Sequence, residues 1–432
     1  MRRIDWSSLD AAGRREALAR PASISDPALI ARVAAILADV REGGDAALAD
    51  YTQRFDTKAD VVLRVSPEEM EAAWTALPDS DKAVIERARR NVKAFHAAQM
   101  PDVVAVETEP GVHCRREVRA IETAGLYVPG GTAPLVSTLI MLAVPARVAG
   151  CRRRVVVTPP RADGTVDPVI LAAAHRCHVT DLFRVGGAQA VAALAYGTDT
   201  IPRCDKIFGP GNAYVAAAKS LVAQEAGGPA IDMPAGPSEA MVLCDEGADP
   251  AFVASDLLSQ AEHDRVAQVV CVSCCPGVSA AVERELETQL AQLSREDIAR
   301  EALSHGRLIQ ASGRADLAEI VNAYAPEHLI MQIEDAETLV PAIRNAGSIF
   351  VGRWTPESVG DYASGTNHTL PTNGAARAYS GITLDSFLKY VSVQRLTEAG
   401  IRSLGPTVER LADMEGLDAH RNAVTLRLKA LS

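Results

Sequence analysis

Several short stretches hold residues whose types and spacing could do chemistry. In Ser259-Gln260-Ala261-Glu262-His263, Gln260 and His263 are three apart and share a face of a helix. One amide oxygen and one imidazole nitrogen make half of a site for a borderline metal ion. Taken alone, the pair reads better as a surface Gln and His. In Gly360-Asp361-Tyr362-Ala363-Ser364-Gly365-Thr366-Asn367-His368, Asp361 offers an anionic oxygen ligand and His368 a hydrogen bond. A turn whose Asp and Asn bond their own backbone is an equal reading. Tyr324-Ala325-Pro326-Glu327-His328-Leu329 sets a carboxylate beside an imidazole. Adjacent side chains point in different directions, so the pair can serve two separate protons. An imidazole of ordinary pKa near ~6.5 is the natural base for an alcohol proton at neutral pH. Glu-His dipeptides also arise by chance. In Glu415-Gly416-Leu417-Asp418-Ala419-His420, Glu and His are five apart, ahead of Val424, Leu426 and Leu428. The plain reading there is a solvated helix.

The elements that must position these residues change character along the chain. The first hundred residues read as helical. Ser66-Pro67-Glu68-Glu69 supplies a cap, a first-turn Pro and acidic residues, and Asp79 to Ala98 continues at helical spacing. From about residue 121, short apolar runs end in Gly or Pro and lead into Ala-rich stretches. Leu126-Tyr127-Val128, Val155–Val157, Phe183–Val185 and Lys206–Phe208 form one set. Met241–Leu243, Val269–Val272, Leu308–Gln310, Leu329–Gln332 and Ser348–Val351 form a second. Strand ends roughly 25–30 residues apart suit β-α units of a parallel sheet. The Gly360–His368 loop leaves such a strand, and loops at strand carboxyl ends are where α/β folds build sites. Glycine at strand–helix junctions aims backbone N–H groups at whatever binds there, which suits a nucleotide diphosphate, although no Gly-x-Gly-x-x-Gly is present.

Composition narrows the class. With 48% hydrophobic and 23% charged residues the chain reads as globular, and 432 residues require more than one core. Asp and Glu outnumber Lys and Arg by 55 to 44, so nucleic acid and anionic lipid are poor partners. Met1-Arg2-Arg3-Ile4-Asp5-Trp6 has no apolar run behind its arginines and is not read as a signal peptide. The run from Leu139 to Pro145 is far short of the ~20 residues of a membrane helix. The cysteines, mostly in apolar segments, then read as reduced thiols of a cytoplasmic protein. Cys271-x-x-Cys274-Cys275 lacks a second pair and reads as a buried strand entering a loop.

Taken together, Tyr127-Val128-Pro129-Gly130-Gly131, Gly209-Pro210-Gly211-Asn212, Asp232-Met233-Pro234-Ala235-Gly236-Pro237-Ser238-Glu239, Ser259–His263, Ala325–Leu329 and Gly360–His368 resemble, in order and over nearly the whole chain, the signatures of the histidinol dehydrogenase family. The resemblance implies zinc held by Gln260, His263, Asp361 and His420. It implies Glu327 and His328 as the acid–base pair. Ser238, Glu415, His328 and the metal ligands would contact L-histidinol, and Tyr127, Gln189 and Asn212 would line an NAD site. The implied fold is α/β, with two incomplete Rossmann-like parallel-sheet domains in a domain-swapped homodimer. Residues 1–24 would form a helical segment, 25–125 with 240–380 the first α/β domain, 126–239 the second, and 381–432 a dimerisation tail. That tail would place Glu415 and His420 in the partner chain's site. The implied activity is a four-electron oxidation of L-histidinol through its aldehyde to histidine with two NAD, closing histidine biosynthesis.

Two segments depart from the family's pattern: Asp264-Arg265-Val266-Ala267 replaces a small Gly-Pro turn, and Tyr379-Ser380-Gly381-Ile382 drifts from a serine-rich form. Both bear on loop shape at the rim, and neither touches a ligand or catalytic position. The nearest alternative is a related zinc- and NAD-linked dehydrogenase of another small polar alcohol, against which Glu327, His328, Ser238, Glu415 and His420 argue. A zinc hydrolase using Glu327 on metal-bound water, and a non-catalytic zinc or nucleotide binder, are the alternatives of other classes.

Overall fold

The apolar runs that end in Gly or Pro become strands, because a strand covered on both faces can be continuously apolar. The computed structural model describes the chain except residues 21–25, 131–133 and 235. Gly131, Ala235 and the expected boundary at 24 therefore lie outside the described residues. The strands are β1 (Arg2–Asp5), β2 (Arg64–Val65), β3 (Val104–Glu109), β4 (Val112–Ala120), β5 (Thr123–Tyr127), β6 (Arg153–Thr158), β7 (Asp181–Arg184), β8 (Lys206–Phe208), β9 (Ala230–Ile231), β10 (Glu239–Cys244), β11 (Gln268–Ser273), β12 (Arg307–Gln310), β13 (His328–Gln332), β14 (Ser348–Val351) and β15 (Leu388–Leu396). They fall into two packed units, Met1–Gln99 with Glu122–Phe387 and Met100–Ile121 with Leu388–Ser432.

The first unit holds two six-stranded sheets. One has the order β1-β12-β11-β10-β13-β14 and is parallel throughout. Val242, Val269 and Cys271 pack on one face with Leu257, Val282 and Leu303, while Met241, Val270 and Leu329 pack on the other with Leu317, Ile320 and Trp6. The second has the order β2-β7-β6-β5-β8-β9, parallel except where β2 runs antiparallel to β7. The apolar run Leu139–Pro145 lies wholly buried in the helix Val136–Ala149. No helix among the described residues is long and apolar enough to cross a membrane. Cys271 ends in a buried strand, Cys275 caps the next helix, and all eight cysteines are free thiols.

The packing differs from the sequence expectation in three places. The helices over 27–97, expected beside the first sheet, join the second. Leu29, Val33, Ile36, Leu37 and Val40 recur at helical spacing and bury with Val155, Val157 and Phe183. Residues 2–5, expected as helix, form an edge strand, because Arg307–Gln310 offers an open parallel partner. Residues 112–120 pair with β15 of the tail, an antiparallel ladder running from Val112–Leu396 to Ala120–Leu388, and β3 pairs with the other edge of β4. This second unit ends in the helices Glu398–Met414 and Asp418–Ala430, and a side chain at Gly405 would meet Leu428 at 3.0 Å. Leu411, Met414, Leu417 and Leu426 stay exposed on those helices and their connection.

Candidate active site

His328 opens β13 and Glu239 opens β10, so the acid–base residues stand at the amino edge of the first sheet. The expectation of a site at the carboxyl ends is corrected here. A helix leaving a strand's carboxyl end runs back across the sheet, and its last turn lands at the amino edge. Pro250–Ala261 does so after β10, with Gln260 in its last turn and His263 just beyond. Pro at its first position and the Asp249 side chain accepting from Ala251 N–H fix where it starts. Glu357–Tyr362 does the same after β14 and carries Asp361.

Glu327 and His328 both hold on to one peptide unit of the neighbouring strand. Glu327 Oε2 accepts the Glu239 N–H at 2.8 Å, and His328 Nδ1 lies 3.1 Å from the Glu239 carbonyl oxygen. Glu327 Oε2 and His328 Nδ1 are 3.6 Å apart, closer than neighbours pointing in different directions would be. Glu239 is itself fixed through its side chain. Arg20 makes a two-pronged contact with it, Nη2 to Oε2 at 2.7 Å, and Asn373 N–H donates to Oε1 at 3.0 Å. The Arg20 guanidinium lies 3.9 Å from the Tyr324 ring centroid.

His328 Nε2 faces the other way, 3.4 Å from Asp361 Oδ1, short of a formed hydrogen bond. Gln260 is 1% exposed, and its Oε1 also lacks a partner, as do Glu357 Oε2 and Asp361 Oδ1. Ligating atoms of His263, Glu357 and Asp361 lie within 4.8 Å of one another. Unsatisfied buried oxygens and an imidazole nitrogen beside such a group fit a divalent cation with mixed N/O donors.

The electrostatics follow from burial. Burial pushes the Glu327 carboxyl up to about 8, with His328 opposing. Burial disfavours a charged His328, but Glu357, Glu327 and Asp361 outweigh it and hold the ring well above the usual imidazole range. Asp361, despite burial, is held below the usual carboxylate range by His328 and other nearby imidazoles.

His368 does what its position promised. Its Nδ1 lies 2.9 Å from the Asp361 carbonyl, and its Nε2 lies 3.0 Å from Thr138 Oγ1. Asn367 donates to the Met141 carbonyl at 2.6 Å, so this loop is anchored on a helix of the second sheet. Around Asp264–Ala267, Arg265 bonds Asp297 and Glu301, each at 2.6 Å, tying that turn to the outer face of the helix Glu296–His305. Ser238 is half-buried, with its carbonyl bound to Gln268 N–H.

At the carboxyl ends of β5 to β8 lies a cavity of about 830 Å³ lined by Tyr127, Gln189, Asn212, Asp56 and Thr158 among others. Gly187 N–H donates to the Tyr127 hydroxyl at 3.1 Å, and Gln189 approaches Asp56 at 3.5 Å. The Asn212 side chain caps the next helix through Tyr214 and Val215 N–H. Gly209, at φ +118°, abuts the strand end: a Cβ there would stand 2.1 Å from the Tyr127 carbonyl oxygen. Buried Lys219 bonds the Gly209 carbonyl at 2.8 Å and pairs with Asp232, which accepts Gly209 N–H.

The structure thus brings together His263, Asp361, Glu327 and His328 in one place, with Gln260 buried three residues before His263, and Tyr127, Gln189 and Asn212 in another. Glu415 and His420 belong to the second unit, exposed on its helical pair. Sequence reasoning gave no role to Glu239, Arg20, Asp56 or Glu357. For Glu357 a signal existed, since it precedes Asp361 by four residues and so shares its helical face.

Two parallel sheets, a nucleotide-sized cavity and a polar centre around a buried Glu-His pair define an α/β oxidoreductase architecture. A family model described as histidinol dehydrogenase matches residues 19–428. The chain is 52% identical over 428 residues to the histidinol dehydrogenase of Xanthomonas euvesicatoria pv. vesicatoria (strain 85-10), covering 99% of each chain. It is 50% identical over 428 residues to that of Pectobacterium atrosepticum, covering 99% of this chain and 96% of that one. The crystal structure of histidinol dehydrogenase from Elizabethkingia anophelis superposes with a TM-score of 0.95 at 44% identity, covering 100% of this chain and 98% of that one. The chain belongs to the histidinol dehydrogenase family.

Proposed function

We propose that this protein oxidises L-histidinol through L-histidinaldehyde to L-histidine with two NAD, closing histidine biosynthesis in the cytoplasm. The observation that carries the reading is the buried Glu327–His328 pair opening onto unpartnered Gln260, Asp361 and His328 atoms. Gln260, His263 and Asp361, with His420 from a partner chain, would hold zinc, and Tyr127, Gln189 and Asn212 would hold NAD. When bound, zinc would orient the amino alcohol and NAD would accept hydride.

The chain's own residues handle the protons. Nδ1–H of His328 donates to the Glu239 carbonyl, and a cation held beside Asp361 would offset the carboxylates that keep the ring charged, leaving Nε2 to take the hydroxyl proton. The Glu327 carboxylate then takes a proton from the water that hydrates the aldehyde. Its hydrogen bond from Glu239 N–H steadies that charged form in a site that otherwise favours the neutral acid. His328 accepts a proton again in the second oxidation. Ser238, and Glu415 from the partner, would contact the substrate. Exposed Leu411, Met414, Leu417 and Leu426 on the second unit support a homodimer with exchanged tails, since large apolar side chains left in water favour association.

The test is a product assay with histidinol, NAD and zinc. Histidine should form with about two reduced nicotinamides per histidinol, because two hydrides must leave. A ratio near one with free aldehyde accumulating would overturn the two-step reading.

A further inference from the structure

Glu357 has no task in the reaction above, yet its side chain is more deeply buried than that of Asp361. It opens the helix Glu357–Tyr362, four residues before Asp361, so both carboxylates face the same way. Its ligating oxygen lies within 4.8 Å of those of His263 and Asp361, and Oε2 has no hydrogen-bond partner. Two other buried atoms without partners, His328 Nε2 and Asp361 Oδ1, lie 3.4 Å apart, and Gln260 Oε1 is a third, on the helix that leads to His263. A carboxylate withdrawn from water needs a cation or donor, and its charged partner here, the His328 ring, is shared with Glu327 and Asp361.

We infer that Glu357 supplies the second negative charge of the cation site, its buried carboxylate facing the ion beside that of Asp361. The inference rests on the metal reading above and adds a residue to it. Two carboxylates balance a divalent ion without help from the substrate. Amide Gln260 and imidazole His263 then serve as neutral donors that leave the total charge at zero.

The test is zinc affinity by chelator competition, together with thermal unfolding of metal-free and zinc-loaded protein, for wild type, E357Q and E357D. Glu357→Gln keeps the shape and removes the charge. Zinc affinity should fall by roughly 10- to 100-fold, while the metal-free variant should melt at or above the wild-type temperature because a lone buried acid is gone. Glu357→Asp keeps the charge and should hold zinc more tightly than Glu357→Gln. A merely structural role gives the reverse pattern, with metal-free E357Q less stable and zinc affinity unchanged, and overturns the inference. A wild type that binds zinc no more tightly than E357Q overturns this inference alone. A wild type that takes up no zinc overturns the metal reading and the inference together.

Discussion

The Nδ1 atom of His328 stands 3.1 Å from the carbonyl oxygen of Glu239. A carbonyl oxygen accepts only, so Nδ1 carries a hydrogen and Nε2, which faces Asp361, is the nitrogen that exchanges the reaction's proton. His328→Asn removes that base and should slow both oxidations, by about 10²- to 10⁴-fold. Glu327→Gln should fall mainly on the aldehyde step, because that step alone needs an activated water. Feeding histidinaldehyde separates the two. Wild-type oxidation of the aldehyde by E327Q would show that Glu327 does not activate the water.

The same Glu239 is clamped by Arg20, whose side chain is 14% exposed against 2% for Glu239. Removing one member of a buried ion pair leaves a bare charge, so Arg20→Met should lower the unfolding free energy by about 3–5 kcal/mol. It should also lower kcat more than it raises KM for NAD, since the Glu239 peptide positions Glu327 and His328. The exposed Arg265, paired with Asp297 and Glu301, is the control, and Arg265→Ala should leave stability unchanged. Urea unfolding of both variants checks this. Equal stability for R20M and wild type would contradict the buried pair, and an unchanged kcat would contradict the positioning role.

How much of this is legible in the sequence depends on how local each signal is. Buried parallel strands are legible, because β10, β11 and β13 are continuous apolar runs flanked by polar or turn residues. β1 is not, because Arg2-Arg3-Ile4-Asp5 has a single apolar residue and becomes a strand only through pairing with β12. Likewise, helix Pro27–Phe55 is evident from its period, but which sheet it covers is decided by fit against Phe183 and Val191 far along the chain. Site residues inside dense signatures, such as Glu327 and Asp361, are readable. The service of Glu239 to them is not, since its backbone meets Glu327 across 88 positions. Arg20 carries no local mark at all.

His96 gives a prediction in pH. It is fully buried in the helix Asp79–Ala97, with Nδ1 2.8 Å from the Val92 carbonyl. Burial holds its pKa below the ordinary 6.5, and backbone oxygens of Val92 and Ile382 offset this only in part. The unfolded chain therefore binds a proton more readily than the folded one. The stabilisation from the neutral ring is complete above the ordinary value and is lost as pH falls from there through the lowered folded value. Wild-type unfolding midpoints should drop between pH 7.5 and 5.5, and His96→Gln should flatten that drop. Parallel curves for the two proteins would remove His96 as the cause.

The exchanged tail can be tested by mixing two inactive variants. Glu415 and His420 lie on the second unit, exposed, while Gln260, His263, Asp361 and His328 lie on the first. If each site combines those four with the partner's tail, His328→Ala and His420→Ala complement one another. In a mixed dimer, the site on the His420→Ala body borrows an intact tail and has every group it needs, while the other site carries both defects. Random mixing makes about half the dimers mixed, and half of their sites are whole, so roughly a quarter of wild-type activity should return. If His420 instead served its own chain, every site would keep one defect and no mixture would recover. Unfolding and refolding the variants together, then following nicotinamide reduction, decides between these outcomes. Each variant refolded by itself sets the baseline against which recovery is read.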